Sequence, residues 1–179
     1  YPEVRVIANS INRGFTGGNN RGLQAAHGRY VMVLNPDTEI VADALDRLID
    51  YLDAYANVGA IGPQLLNPDR SIQSSRRRFP TLLTGFFEST WLQGIAPRNV
   101  LRRFYMDDVS PGTVQAVDWL TGACTVFRTS VLDQVGHYDE ANFFMYSEEV
   151  DLCKRIKAAG HSIVYLPAAQ VIHYIGQSS

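Results

Sequence analysis

The sequence is poor in cysteine, in long apolar runs and in net charge. Its two cysteines, Cys124 and Cys153, stand in apolar contexts and form no CxxC pair, so we expect reduced core thiols in a cytoplasmic protein. No apolar run approaches the roughly 18 to 20 residues that a membrane-spanning helix requires. The formal net charge is only −2, which gives no reason to expect nucleic acid as a partner.

The composition favours one folded domain spanning 1–179. Of the 179 residues, 46% are hydrophobic and 19% are charged, values typical of a soluble globular protein rather than a disordered chain. The chain begins at Tyr1 rather than at methionine, and we expect it to be part of something longer. Its middle is basic, because Glu88 is the one acid among these arginines: Arg70, Arg76, Arg77, Arg78, Arg98, Arg102 and Arg103.

Predicted strands alternate with predicted helices along the chain. Short apolar runs rich in β-branched residues predict strands at 4–8, 30–34, 58–61, 116–120, 123–127, 163–166 and 171–174. Helical spacing and stop signals predict helices at 23–27, 42–55, 130–135 and 147–159, and 67–70 is typical of a hairpin turn. This order predicts an α/β fold with a mainly parallel sheet and helices on both faces.

Three carboxylates crowd the start of the last predicted helix. Helical spacing places Glu149 on the same face as the apolar Ile156, whereas Glu148 and Asp151 occupy the neighbouring, more polar face. All three could simply complement the helix N-terminus, with Asp151 pairing to Arg155 four residues later. A carboxylate on the core side is costly unless a partner, a metal or a substrate lies beside it. Glu149 is therefore the acid of the three that most needs such a neighbour, and the helix N-terminus would help to keep it ionised, as a general base requires.

Three further features are ambiguous when each is taken singly. The Gly/Asn-rich stretch 9–22 has neither GxGxxG nor the GK[ST] of a P-loop. It is either a tight turn or the entry to a helix whose first amides meet a phosphate. Asp37 lies in a turn at a strand's carboxyl end, but one aspartate makes a poor metal site. His173 lies in an apolar strand, where a histidine of the core is the usual outcome.

Five motifs in order nevertheless resemble those of one known family. The chain resembles glycosyltransferase family 2, and within it the rhamnosyltransferase-like enzymes of bacterial cell-surface polysaccharide assembly. The motifs are N-x-G-F-x-x-G-x-N at 12–20, G-R-Y-V-M-V-L-N-P-D-T at 28–38, W-L-T-G-A at 119–123, V-G-x-Y-D-E-x-x-F-F-M-Y-x-E-E-V-D-L-C-x-R at 135–155, and P-A-A-x-V-x-H-Y-x-G-x-S at 167–178. The segment 75–113 matches only loosely.

The resemblance implies a GT-A fold that lacks the family's first strand, first helix and second strand. On this view, 1–65 is the remainder of the nucleotide-sugar-binding half, and 66–179 is the acceptor-side half with the catalytic helix. The resemblance also implies transfer of a sugar from a dTDP- or UDP-linked donor, with inversion at the anomeric carbon, to a glycan or lipid-linked acceptor.

The resemblance further implies roles for individual residues. Asp37 and His173 would bind a divalent cation, manganese or magnesium, that bridges the two donor phosphates, and Glu149 would deprotonate the acceptor hydroxyl. Donor-binding positions match Asn12, Gly14, Phe15, Asn20, Asn35 and Asp37, and the sugar and acceptor cleft matches Trp119, Gly122, Ala123, Glu148 and Asp151.

Two of these residues depart from the family pattern. Asn35 replaces the first aspartate of the metal motif, which weakens the expected cation site. Glu149 replaces the usual aspartate, and its extra methylene shifts the carboxyl group by roughly 1 Å.

Two surfaces and two rival functions complete the expectations. A sheet edge left open by the absent N-terminal strands would allow pairing with a second copy. The middle of the chain forms either an amphipathic surface against anionic lipid at the inner face of the plasma membrane, or an ordinary packed helix. Its apolar residues are Leu82, Leu83, Phe86, Phe87, Trp91, Leu92 and Ile95.

The rival functions are a sugar nucleotidyltransferase and a non-catalytic binding or scaffolding module.

Overall fold

Helices and strands alternate in residues 2–88 and 90–176, which a computed structural model describes apart from the side chains of residues 92 and 93. The helices are α1 (Gly14–Ala25), α2 (Ala44–Ala54), α3 (Leu82–Glu88), a 3-10 helix (Trp91–Ile95), α4 (Arg98–Phe104), α5 (Thr129–Val135) and α6 (Glu148–Ala158). The strands are β1 (Tyr30–Leu34), β2 (Thr38–Ile40), β3 (Val58–Leu66), β4 (Ile72–Gln73), β5 (Arg76–Arg77), β6 (Gln115–Val117), β7 (Trp119–Leu120), β8 (Cys124–Arg128) and β9 (Ser162–His173). The side chain of Leu92 and the motif residue Ser178 lie outside the described residues.

The larger sheet is centred on the parallel pair β3–β9. Its strands lie in the order β1-β8-β3-β9-β2, with β4 beside β3 and β6 beside β9, and β5 pairs separately with β7. The described pairs around the β3–β9 centre are antiparallel. The predicted α/β class and the hairpin at 67–70 are confirmed. The sheet is parallel at its centre and antiparallel at its flanks, partly because a tight hairpin such as β3–β4 can join only antiparallel strands.

Helices cover both faces of this sheet, as predicted. Neighbouring residues of a strand point to opposite faces. Ala60 of β3 packs in a cluster with Leu23 of α1 and Ile156 of α6, whereas Ile61 packs with Leu48 of α2. One face is therefore covered by α2, and the other by α1 and α6.

The strand predicted at 4–8 is absent from the structure. This segment has no strand pairing, and Val6 is 83% exposed. An extended segment becomes a strand only where a neighbour satisfies its backbone, and the described residues place none beside it. β1 lies at one edge of the sheet and β2 at the other, and the pairing of an open edge with a second copy stays a prediction.

The two strands predicted at 163–166 and 171–174 form the single strand β9. Its pairing with β3 shifts register between Pro63 and Gln64, which face Leu166 and Gln170 respectively. The bulge accommodates the intervening residues, so the pairing continues through a proline and two alanines.

The Gly/Asn-rich stretch forms a helix rather than a loop. α1 begins at Gly14 instead of at residue 23. Gly14 has a φ of 68°, and a Cβ there would lie inside 3.0 Å of the Phe144 carbonyl oxygen, so no larger residue fits. The backbone N–H and the hydroxyl of Thr16 both donate to that same carbonyl, at 3.4 and 3.2 Å. These contacts offset the low helix propensity of glycine and asparagine.

Asn20 fastens the middle of α1 to the segment that precedes α6. It is 5% exposed, and its amide nitrogen donates to the Tyr138 carbonyl at 2.8 Å while its amide oxygen accepts from the Tyr138 N–H at 3.1 Å. Both polar ends of the side chain are therefore occupied by backbone.

Three arginines of the basic stretch serve the fold rather than an exposed surface. Arg76 is buried and donates to two backbone carbonyls. Arg77 lies over the Tyr105 ring, 4.4 Å from its centroid, and burial lowers the pKa of its guanidinium. Arg78 pairs with Asp108 at 2.9 Å. The predicted amphipathic surface therefore cannot rest on these three residues.

Both cysteines are free and buried, as expected for core thiols. Burial raises the pKa of Cys124 and of Cys153 to about 12, so both stay protonated. No helix among residues 2–88 and 90–176 has the length and apolar character needed to cross a bilayer.

We expect Asn20→Ala to lower the free energy of unfolding by roughly 1–3 kcal/mol, because it leaves the buried Tyr138 N–H without a partner and removes one of the two donors to the Tyr138 carbonyl. Urea denaturation followed by circular dichroism measures this change. Gln24→Ala, at an exposed position of the same helix, is the control and should stay within about 0.5 kcal/mol of the parent. Equal stability of the two variants would show that α1 is not held at Tyr138.

Candidate functional site

An open cavity of about 680 Å³ lies at the ends of β1 and β9. Its walls come from α1, the turn after β1, the segment around β4, the loop between β7 and β8, and the start of α6. The polar or small residues that matter below are Asn19, Asn35, Gln73, Gly122, Ala123, Glu148, Glu149 and His173. Phe15, Leu34, Met145, Tyr146 and Ile175 are among its apolar lining residues.

The start of α6 brings two adjacent carboxyl groups to this cavity. Glu148 is only 2% exposed and Glu149 is partly buried beside it. Glu148 was predicted on the polar face. It is instead the more buried of the two, because it lies one turn before the fully buried Leu152. One Glu148 oxygen has no hydrogen-bond partner within the described structure.

The environment of Glu149 keeps its carboxyl group ready to exchange a proton near neutral pH. Burial, followed by the charge of Glu148, raises the pKa of Glu149 to about 7. Backbone hydrogen bonds from Glu149 itself and from Gly122 oppose the shift, because they stabilise the charged form. A carboxyl group in this range accepts a proton far more readily than an exposed one does.

The helix entry differs in detail from the prediction. Ser147, where the helix was predicted to begin, occupies the N-cap position, but its φ is 70° and its side chain makes no capping hydrogen bond. Tyr146 before it has a φ of 71°. Two consecutive residues in the left-handed region turn the chain sharply into α6 and leave Met145 and Tyr146 at the rim of the cavity.

Pairing of β2 with β9 brings Asp37 to His173. Thr38 lies directly opposite His173 in the antiparallel register, so the preceding residue reaches the imidazole. The His173 Nε2 atom lies 3.4 Å from Asp37 Oδ1. Asp37 is buried, and His173 lies on the cavity wall, so the pair presents an imidazole backed by a carboxylate.

Gln73 fixes the orientation of this imidazole. Its Oε1 atom lies 2.8 Å from His173 Nδ1, and its Nε2 atom donates to Asn67 Oδ1 at 3.0 Å. Because the Gln73 oxygen can only accept, His173 Nδ1 must carry the proton. The lone pair of a neutral imidazole is then on Nε2, the atom next to Asp37.

Asp37 and His173 could bind a cation that takes its other ligands from the substrate. Within the described residues, no group of three or more His, Cys, Asp or Glu side chains is placed to enclose a metal ion. Asp37 and His173 offer two ligands, and a cation such as magnesium commonly takes its remaining ligands from water and substrate phosphates. The Gln73 contact is the kind of outer-shell hydrogen bond that orients a metal-binding histidine.

The structure gathers eight of the thirteen predicted site residues. Phe15, Asn35, Gly122 and Ala123 line the cavity together with Glu148, Glu149 and His173, and Asp37 lies directly behind His173.

The other predicted site residues do not line the cavity. Asn12 caps the Gly14 N–H at 2.8 Å, and Asn20 is bound to Tyr138. Trp119 donates to a backbone carbonyl. Asp151 pairs with Arg155 at 2.8 Å, as their spacing of four residues predicted. These side chains hold elements in place instead of facing the cavity.

Sequence reasoning missed Gln73, Asn19 and Tyr146. Gln73 stands in a hairpin strand whose position relative to β9 depends on a contact between residues 100 apart, and nothing local signals it. Asn19 was hidden because 9–22 was expected to be a loop. Tyr146 belongs to the motif 135–155, so the run of aromatic residues before the paired acids was the available signal.

Comparisons with known proteins agree on one family. The sequence profile described as "Glycosyltransferase like family 2" matches residues 1–179. The N-acetylglucosaminyl-diphospho-decaprenol L-rhamnosyltransferase of Mycobacterium tuberculosis (strain ATCC 25618 / H37Rv) is 34% identical over 190 residues. That match covers 100% of this chain and 61% of the relative, so the chain spans about three fifths of that protein.

Solved structures show the same fold. GalNAc-T7 with UDP, GalNAc and Mn²⁺ aligns with a TM-score of 0.65 at 12% identity, over 93% of this chain and 31% of that one. The mannosyltransferase PcManGT of Pyrobaculum calidifontis, in complex with GDP-Man and Mn²⁺, aligns with a TM-score of 0.59 at 17% identity, over 97% of this chain and 40% of that one. The expected GT-A architecture is thereby confirmed. With a profile match along its whole length and a rhamnosyltransferase relative at 34% identity, the chain belongs to glycosyltransferase family 2.

Proposed function

We propose that the chain forms the catalytic part of an inverting glycosyltransferase, which moves a sugar from a nucleotide diphosphate donor to an acceptor hydroxyl. The observation that carries the proposal is the cavity itself, because one hollow holds a carboxyl group with a pKa of about 7 and the imidazole of the Asp37–His173 pair. A binding module would have no use for a proton acceptor tuned to neutral pH.

Glu149 would act as the general base. An inverting displacement requires a group that takes the proton from the acceptor hydroxyl as that oxygen attacks the anomeric carbon. The helix N-terminus and the backbone contacts of Glu149 help to keep the carboxyl group charged, whereas burial and Glu148 oppose this. The balance leaves a base that is basic enough to accept the proton and still largely ionised above neutral pH.

Asp37 and His173 would hold a divalent cation, manganese or magnesium, with Gln73 keeping Nε2 of the histidine available. When bound, such a cation neutralises negative charge that develops on a leaving diphosphate. The chain needs that charge from outside, because no lysine or arginine lines the cavity in the part of the chain that the structure describes. A diphosphate would otherwise face Glu148 and Glu149 with no positive partner.

The relatives support a proposal for the donor and acceptor classes. The mycobacterial relative is named for transfer of L-rhamnose to N-acetylglucosaminyl-diphospho-decaprenol, and the two solved structures contain UDP or GDP-Man with Mn²⁺. We propose a dTDP- or UDP-linked sugar, with rhamnose as the first candidate, and a glycan or lipid-linked acceptor. The apolar rim formed by Met145, Tyr146 and Ile175 suits the hydrophobic face of a sugar ring.

An apolar surface on α3 and the following 3-10 helix would bring the protein to a lipid-linked acceptor. Leu82 is 97% exposed, Trp91 is 91% exposed and Ile95 is 75% exposed. α4 packs against α3 and carries the exposed Arg98 and Arg102. Exposed apolar side chains flanked by arginines match a bilayer with anionic headgroups, such as the inner face of a bacterial plasma membrane.

We expect Glu149→Gln to lower kcat by about 10²- to 10⁴-fold, the range that a general base contributes. The KM for the donor should change little, because the amide keeps the shape of the side chain. In the parent, kcat should rise with pH through about pH 7 and level off above it, since only the deprotonated carboxylate accepts a proton. A panel of dTDP- and UDP-linked sugars with a diphosphate-linked N-acetylglucosaminyl acceptor, sampled across pH, measures both effects.

Asp133→Asn, an exposed change on α5, is the matched control and should keep the parent rate and pH profile. Full activity of the Glu149→Gln protein would remove Glu149 from the base role, and absence of sugar transfer across the whole panel would count against the proposed function.

We expect Gln73→Leu to weaken Mn²⁺ binding by about 10- to 100-fold, the usual effect of removing a partner that orients a metal-binding histidine. Titration of the protein with Mn²⁺ in the presence of UDP, followed by electron paramagnetic resonance, reports binding without any need for turnover. Gln24→Leu, at an exposed position that does not line the cavity, is the control. Identical titrations for Gln73→Leu and the parent would show that Gln73 has no part in the site.

We expect the triple variant Leu82→Ser, Trp91→Ser, Ile95→Ser to lose flotation with vesicles that contain anionic phospholipid, because it removes the apolar residues that enter the headgroup region. A variant with Val6→Ser and Tyr55→Ser, two exposed apolar residues elsewhere, should float like the parent. Equal flotation of all three proteins, or no flotation of the parent, would end the membrane proposal.

A further inference from the structure

Gly122 lies where the carboxyl group of Glu149 ends. A Cβ added to Gly122 would lie well inside 3.0 Å of Glu149 Oε1, 3.3 Å from Glu149 Cδ and 3.4 Å from Phe15 Cζ. Real Cβ atoms essentially never approach another heavy atom that closely. The end of the Glu149 side chain therefore occupies the space that a side chain at position 122 would need.

The backbone conformation at Gly122 does not require glycine. Gly14, Gly136, Gly160 and Gly176 have positive φ values, whereas Gly122 does not. The φ of Gly122 therefore does not by itself exclude alanine. Contact with Glu149, and not chain flexibility, is the reason for glycine here.

The backbone around Gly122 has little freedom to move away. On one side, the Thr121 N–H donates to the Ser75 carbonyl at 3.0 Å. On the other side, the Ala123 carbonyl accepts from the Asn35 N–H at 2.9 Å. The short loop between β7 and β8 is thus held at both ends, and a new methyl group would displace the Glu149 carboxyl group rather than the loop.

Gly122 also acts on Glu149 through its backbone. Its N–H donates to the Glu149 carboxylate, a bond that favours the charged form. The same residue thus provides both the space for the carboxyl group and a hydrogen bond that orients it.

We infer that Gly122 is a positioning residue for Glu149. Because Gly122 has no side chain, it leaves room for the long side chain of a glutamate and directs the Glu149 carboxyl group into the cavity. The inference rests on the proposed function only in naming what the aimed carboxyl group does. The contact itself predicts a dependence between the two positions, because an aspartate at 149 is one methylene shorter and leaves room for a methyl group at 122.

The test is a double-substitution cycle with Gly122→Ala, Glu149→Asp and the two combined. We expect Gly122→Ala to lower kcat about 10- to 100-fold when Glu149 is retained, since a displacement of roughly 1 Å has effects of this size. In the Glu149→Asp background the same substitution should change kcat less than about twofold. Gly22→Ala, at an exposed helical position where the added methyl meets nothing within 4 Å, is the control and should act equally weakly in both backgrounds.

A second measurement separates this inference from the proposed function. Carbon-13 NMR of the residue 149 carboxyl group reports its titration whether or not the protein transfers sugar. Gly122→Ala should move the Glu149 midpoint above its parent value of about 7, because the carboxylate loses the Gly122 N–H. If Gly122→Ala fails to fold, recovery of folding in the Gly122→Ala, Glu149→Asp double variant supports the contact.

Equal loss of kcat from Gly122→Ala in both backgrounds would overturn the inference, because Gly122 would then act independently of position 149. An unchanged titration midpoint in Gly122→Ala would overturn it as well.

Discussion

The register of strand β9 is the constraint on which the candidate site depends. Its parallel pairing with β3 fixes the middle of the sheet, and its antiparallel pairing with β2 sets Thr38 opposite His173. Because side chains alternate between faces, a slip of one residue would turn the imidazole to the other face of the sheet. The Asp37–His173 pair therefore depends on strand pairing maintained over the length of β9, and β4 adds Gln73 only because β3 supports its hairpin.

Charge distribution explains how such a cavity would handle an anionic donor. Glu148 and Glu149 stand at the positive end of α6, which lowers the cost of burying two neighbouring carboxyl groups. Burial and repulsion between the two carboxylates still raise the pKa of Glu149. The same two effects that disfavour its charge therefore suit Glu149 to accept a proton near neutral pH. The positive charge that a diphosphate needs would come from a cation held by Asp37 and His173. The proposed base and the proposed cation would thus be held by different residues of one cavity.

Local sequence patterns were sufficient to predict those helices and strands whose signal lies within the segment itself. The strand at 30–34 agrees with β1, and the predicted helices at 42–55 and 147–159 contain α2 and α6, because alternation and helical spacing act within a few residues. α1 could not be predicted, since its glycines and asparagines favour a loop, and the contacts that hold it, such as those with Phe144 and Tyr138, are distant in sequence. The burial of Glu148 and the placement of Gln73 also depend on partners far along the chain. The segment 4–8 shows the reverse case, where a strand-like pattern lacks a neighbour to pair with.

The most direct test of the central claim is a crystal structure with a dTDP- or UDP-linked sugar and Mn²⁺, in which anomalous scattering locates the metal. The account predicts an anomalous peak within bonding distance of both Asp37 and His173 Nε2, with the diphosphate on that metal and the sugar in the cavity that contains the Glu149 carboxyl group. A metal and nucleotide bound away from His173, or a donor sugar outside the Glu149 cavity, would contradict it.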